Sequence, residues 1–177
     1  YRWDRLDYFV RMIKKARENN FVIGMKIVRG AYLEKENERA LELGYKTPMQ
    51  SSKDNTDNDY NRAVELAINN LDVVEVCIGT HNETSCLLGA GLMEKNDLPE
   101  NHARIYFSQL YGMSDHISYN LAALNYNVSK YLPYGPVKST MPYLIRRAEE
   151  NTAIAGQVGK ELKLLLLEKK RRKLQRN

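Results

Sequence analysis

The sequence predicts an α/β fold built on a parallel sheet. Three observations carry this. Short apolar runs alternate regularly with stretches of helical periodicity. The runs are rich in β-branched and aromatic residues. Each run also ends in a cluster of polar or glycine-containing residues before the next helical stretch. Regular strand–helix alternation is what a parallel sheet with crossover helices requires.

Element by element, Trp3, Leu6, Phe9, Val10, Ile13 and Ala16 recur at helical spacing, and "ENN" closes that helix. "FVIGMKIVRGAY" follows. Its nearly continuous apolar stretch, Phe21 to Val28, predicts a strand buried on both faces. The polar segment after it reads as loop with a short helix over 36–43. Tyr60, Ala63, Val64, Ala67, Ile68 and Leu71 mark the next helix, with Thr56 as its expected N-cap. "VVEVCIGTHN" predicts a second strand, "ETSCLLGAGLMEK" a helix, "ARIYFSQLYG" a third strand, "SDHISYNLAALN" a helix and "NVSKYLPYG" a fourth strand. "MPYLIRRAEEN" is helical, with Pro142 expected in its first turn. A basic, leucine-rich helix, "GKELKLLLLEKKRRKL", comes last.

Four strand–helix units fit either an open doubly wound sheet or part of a (βα)8 barrel. A complete barrel takes about 250 residues, so the 177 residues here correspond to about half of one. The chain opens with "YRWDRL", already inside a helical pattern and without a starting Met, and reads as a piece of a longer protein. No apolar run approaches the roughly 20 residues that span a bilayer. Cys77 and Cys86 lie in apolar surroundings, which predicts buried thiols in a reducing compartment.

Ligands of parallel βα arrays bind at the C-terminal ends of the strands. Lys26, Arg29, Tyr32, Thr80, His81, Asn82, Gln109, Tyr131, Arg146 and Arg147 are therefore expected on one rim. A lysine inside an apolar strand is costly without a purpose or a partner. Tyr143, Arg146 and Arg147 share one helix face, which suits either a clamp for a small carboxylate or a solvated face of ion pairs. No HxH or HExxH spacing announces a metal site. No G-x-G-x-x-G follows a strand, which argues against a Rossmann dinucleotide site. The run "EKKRRKLQR" suits a solvated helix end or an anionic surface. It lacks the interleaved aromatics of single-strand readers, and no nucleic acid is expected.

"KIVRGAYLEKE", "GTHN", "FSQLYGMSD", "KYLPYGP" and "PYLIRRAEEN", in this order and at these spacings, resemble proline dehydrogenase over essentially the whole chain, from Tyr1 to about Thr152. The resemblance implies the C-terminal half, strands five to eight with their helices, of a distorted (βα)8 TIM-type barrel. Residues 1–157 would form that half and 158–177 an appended basic helix. It implies FAD at the strand ends and oxidation of L-proline to 1-pyrroline-5-carboxylate by hydride transfer to flavin N5. Electrons would pass to a quinone or another acceptor.

By the same resemblance, Arg146 and Arg147 would grip the proline carboxylate, a planar anion suited to guanidinium forks. Glu150 would hold the pair. Tyr131 and Tyr143 would wall the pyrrolidine ring, with Ala31 and Leu110 as apolar contacts. Lys26 would stand near the flavin N5 edge. Val28, Gly30 and Tyr32 would lie along the flavin. Lys53, Thr80, His81 and Asn82 would hold its ribityl, phosphate and adenosine parts, and Gln109 would belong to the same cofactor set. Tyr131, where hydroxyproline-preferring relatives have a smaller residue, favours proline. The implied setting is cytoplasmic, peripheral at the inner face of a membrane, or mitochondrial in a eukaryote. Self-association of two half barrels is compatible with the pattern. An isolated half is expected to be inactive. Two other readings stay open from the residues alone: a non-catalytic scaffold for FAD or another anion, and an interaction module with a basic helical tail.

Overall fold

A computed structural model describes residues 1–153 and 156–174, with side chains described outside 148–161. The elements run α1 (Arg5–Glu18), β1 (Ile23–Ile27), α2 (Leu33–Leu43), α3 (Lys53–Ile68), β2 (Val74–Gly79), α4 (Glu83–Lys95), β3 (Ile105–Leu110), α5 (Asp115–Ala123), β4 (Val128–Tyr131), α6 (Val137–Ala153) and α7 (Gly156–Leu174). The four strands form one parallel sheet in sequence order, β1-β2-β3-β4.

The sheet is covered on one face. Phe9 and Ile13 of α1, Tyr60, Val64, Ala67 and Ile68 of α3, Cys86, Leu92 and Met93 of α4, and Ile117 and Leu121 of α5 pack on Ile27, Val74, Val76, Ile78, Ile105 and Phe107. Alternation of side chains along each strand sends the other set to the opposite face. There Val28, Tyr106 and Tyr131 stay exposed, in company with Lys26. This corrects the expectation that the first strand is buried on both faces. Ile23, Met25 and Ile27 turn toward the helices, while Gly24, Lys26 and Val28 turn away. A run apolar on both faces in sequence is thus buried on only one. The thiols divide the same way. Burial pushes the Cys86 thiol up to about 12, which leaves it inert at neutral pH, whereas Cys77 is only half-buried on the other face.

Three local expectations also change. α3 starts at Lys53, well before Tyr60. Its N-cap is Ser52, whose Oγ accepts from the Asn55 N–H at 3.1 Å, and Thr56 is buried within the first turn. "SSKDNTDND" looks like loop by composition, but the cap and the burial of Thr56 make it helix. α2 starts at Leu33, three residues before the expected position. α6 starts at Val137, with the Pro136 carbonyl accepting from Ser139 and Thr140, so Pro142 lies inside the helix and not in its first turn. A proline there removes one helical hydrogen bond and strains the preceding turn.

α4 approaches the sheet closely at Gly89. A Cβ there would stand 3.0 Å from Ile78 Cδ1 and 3.1 Å from Phe107 Cε1, both in the core. Gly89→Val therefore displaces α4 from the sheet, and overpacking of this kind costs about 1–3 kcal/mol. Denaturant titration of the two proteins checks it; an unchanged midpoint would mean that the helix gives way freely.

Candidate active site at the strand ends

The C-terminal ends of β1, β2, β3 and β4 border a cavity of about 530 Å³. That volume falls in the range of small-molecule sites. Of the residues expected from sequence, the structure brings Lys26, Val28, Gly30, Lys53, Thr80, His81, Asn82, Gln109, Leu110, Tyr131, Tyr143 and Arg147 to its wall.

The strand register explains the grouping. Lys26 pairs with Cys77, Gly79 with Ser108 and Leu110 with Tyr131, so these side chains share the uncovered face. The Lys26 ammonium donates to Ser108 Oγ at 3.0 Å and lies 5.3 Å from the Tyr131 ring centroid. Tyr131 meets Tyr143 edge-on, with centroids 6.0 Å apart. The Arg147 guanidinium sits 5.3 Å from the Tyr143 centroid. Two rings thus stand between two cations along the rim from β1 to α6. Among the described residues, Lys26 has no carboxylate within ion-pair distance.

The two arginines separate. Arg147 follows Tyr143 by one turn and stacks on it, whereas Arg146 stands 5.8 Å from the ring of Tyr32 in the β1–α2 loop. Arg146 Nε is buried and has no hydrogen-bond partner among the described residues. Tyr32 holds a left-handed backbone (φ 72°), an uncommon state for a bulky residue and one that clusters at binding sites. Ala31 and Tyr32 border a second cavity of about 580 Å³, which wraps the β1 edge toward α1 and α3. Ala31 is therefore not brought to the first cavity. The Glu150 side chain lies outside the described residues.

Several expected contacts also serve the scaffold. Asn82 caps α4: its Oδ1 accepts from the Ser85 N–H at 3.1 Å, and its own N–H donates to Thr80 Oγ1 at 3.0 Å. His81 Nδ1 lies 2.9 Å from Ser114 Oγ. The Lys53 ammonium pairs with Asp57. Gln109 is 2 % exposed and faces α5. Its Nε2 donates to the Thr80 carbonyl at 3.1 Å, and its Oε1 accepts from Ser118 at 2.8 Å. That geometry makes Gln109 a buttress within the cavity wall.

Arg29 is expected on the rim with no assigned role. It is the organising residue. Its guanidinium donates to Asp57 Oδ1 at 2.6 Å, to Thr80 Oγ1 at 2.8 Å and to Ser85 Oγ at 2.9 Å, and it lies 4.2 Å from the Tyr60 centroid. α3, α4 and the end of β2 are tied to β1 through it. Ser108, Gly79, Met113 and His116 also line the cavity and carried no sequence signal of their own.

Fold and site together define a parallel α/β protein whose strand ends carry a rim of cations and tyrosines, suited to an anionic small molecule held against aromatic rings. The proline dehydrogenase family profile matches residues 1–160. Human mitochondrial proline dehydrogenase 1 is 38% identical over 97% of this chain, which covers 29% of the human protein. Proline dehydrogenase 2 of Arabidopsis thaliana, also mitochondrial, is 39% identical over 90% of this chain and 34% of its own length. Hydroxyproline dehydrogenase of Xenopus laevis is 37% identical over 89% of this chain. Proline utilization A of Bdellovibrio bacteriovorus, inactivated by N-propargylglycine, superposes with a TM-score of 0.80 at 25% identity, over 86% of this chain and 16% of that one. The chain belongs to the proline dehydrogenase family. It spans about a third of the length of the human and Arabidopsis enzymes.

Proposed function

We propose that this chain is the C-terminal half of a (βα)8 barrel that oxidises L-proline to 1-pyrroline-5-carboxylate with FAD, residues 1–157 forming the half barrel and 158–177 an appended helix. The observation that carries the reading is the row Lys26, Tyr131, Tyr143, Arg147 along one rim, two rings between two cations, with Arg146 beside Tyr32. Cations held on rings, one of them with a buried nitrogen that lacks a partner among the described residues, suit a carboxylate that supplies the missing acceptor. The consecutive parallel strands, one face bare, support the half barrel: the bare face would line the barrel interior.

The residues present fit a flavin. Gly30 leaves the cavity wall without a side chain at the end of β1, and Lys26, laid over Gly79, offers a positive charge on the bare face. α4 turns its N-terminal end, capped by Asn82, toward the same cavity, where backbone N–H groups and Lys53 favour a pyrophosphate. When bound, the flavin supplies the hydride acceptor. Arg146 and Arg147 anchor the substrate carboxylate. Tyr131 and Tyr143 orient the ring and exclude water from one side of it. Val28 and Leu110 add apolar contact, and Tyr32 holds Arg146.

Tyr131, packed edge-on against Tyr143, narrows the space above the ring, and we assign the preference for proline over hydroxyproline to it. The electron acceptor is a quinone or another carrier. The basic end of α7, Arg171–Lys173, is the part of the chain suited to an anionic membrane surface. Among the described residues, no helix is long and apolar enough to cross a membrane.

The test is an anaerobic visible spectrum of the full-length protein, taken before and after addition of L-proline or trans-4-hydroxyproline. A flavin band bleached by proline, and far more slowly by hydroxyproline, is the expected result. A flavin band indifferent to both would leave a binding scaffold, and no flavin at all would remove the cofactor from the reading.

A further inference from the structure

Lys26 does not stand where its backbone puts it. Its Cα belongs to β1, yet its ammonium bonds Ser108 on β3 and lies against Tyr131 on β4. Strands two apart in a sheet are separated by about 9–10 Å, so the side chain must lie flat across β2. It does so at Gly79. A Cβ on Gly79 would stand 2.8 Å from Lys26 Cε and 2.9 Å from Val28 Cγ1, closer than such atoms approach. Gly79 is therefore a notch through which the lysine stem passes, and Ser108, only 3 % exposed, is the stop at its far end. A lysine free to sample its rotamers would spread its charge over the bare face and into solvent, since its four-carbon stem is among the most flexible of side chains. The notch and the hydroxyl remove that freedom.

We propose that Gly79 and Ser108 are positioning residues of the site: together they lay the Lys26 ammonium across the sheet and fix where the positive charge stands relative to the flavin. The proposal rests on the flavoenzyme reading above for its second half only. Substituting either residue leaves Lys26 present but displaces its charge. Catalysis then suffers through Lys26, without loss of any group that touches the substrate.

The experiment uses the full-length protein as the parent and as Gly79→Ala, Ser108→Ala and Ser108→Thr. In protein freed of flavin, acetylation of Lys26 by an N-hydroxysuccinimide ester is followed by peptide mass spectrometry, with the exposed Lys14 as internal reference. Labelling of Lys26 relative to Lys14 rises about tenfold in Ser108→Ala, the equivalent of one hydrogen bond to a charged group. It rises in Gly79→Ala as well, and stays near the parent in Ser108→Thr, which keeps the hydroxyl. In flavin-loaded protein, the reduction potential falls in Gly79→Ala and Ser108→Ala, because a nearby cation favours the reduced, more negative flavin. Unchanged labelling in both alanine variants overturns the positioning role. Raised labelling with an unchanged potential upholds the positioning of Lys26 and overturns its placement beside the flavin.

Discussion

Replacing Arg146 and Arg147 together by methionine in the full-length protein lowers kcat/KM for L-proline by roughly 10²- to 10⁴-fold. That follows from losing two charge-assisted contacts of about 1.5–3 kcal/mol each. Methionine keeps an unbranched stem of similar length and removes the guanidinium that lies over Tyr143 or Tyr32. The paired lysine variant is expected to recover little. An ammonium is a point donor without the planar fork that matches both oxygens of a carboxylate. The two positions differ in surroundings, because Arg147 stacks on a residue of its own helix and Arg146 on the β1–α2 loop. Single variants therefore separate: Arg147→Met lowers kcat/KM without touching the β1–α2 loop, while Arg146→Met also loosens the loop that carries Tyr32. Steady-state kinetics with flavin content measured on the same samples check this. A flavin-loaded double variant whose kcat/KM stayed within about threefold of the parent would return both arginines to ordinary surface charge.

Much of this site was legible in the sequence because a parallel sheet converts order into position. Once four apolar runs alternate with helices, each run's last residues must share a rim, and Thr80, His81 and Tyr131 needed no further information. What stayed hidden depends on contacts between distant elements. β1 looked buried on both faces because Val22, Gly24 and Val28 are apolar or neutral, and only the sheet's bare face shows that they turn outward. The start of α3 was hidden because its polar first turns are held by a cap and by pairing with Arg29, neither of which hydropathy registers. Gly79 and Ser108 were invisible for a geometric reason. Their roles arise from a side chain that crosses a whole strand, and no spacing along the chain encodes that crossing. Gln109 shows the converse. Its place at a strand end suggested the rim and it does line the cavity, but its amide bonds Thr80 and Ser118, a pairing that no spacing reveals.

Arg29→Met is expected to have the largest effect on stability. The guanidinium and the Asp57 carboxylate are 17% and 21% exposed, so the pair is held mostly away from water. The same group also satisfies Thr80 and Ser85 and stacks on Tyr60, which itself tethers α3 to β1. Methionine fills part of the volume but leaves Asp57 with Lys53, whose side chain is 71% exposed. Because Asp57 keeps one partner, the loss is that of a charge-assisted hydrogen bond, about 1.5–3 kcal/mol, and stays below the cost of leaving a buried charge unpaired. The pH dependence identifies the origin of that loss. Burial works to raise the Asp57 pKa, but hydrogen bonds from Lys53 and Arg29 outweigh it and hold the carboxyl below its ordinary value. A depressed folded pKa adds stability that is present in full above the unfolded value of about 3.9. That stability fades as pH falls through the lower folded value. Thermal melts of the parent and Arg29→Met should therefore differ by a constant amount between about pH 5 and 8 and converge below about pH 4. Convergence at low pH assigns the lost stability to the ionised Asp57. A gap that persisted undiminished at about pH 3 would assign it instead to the neutral contacts with Thr80, Ser85 and Tyr60, which do not titrate in that range.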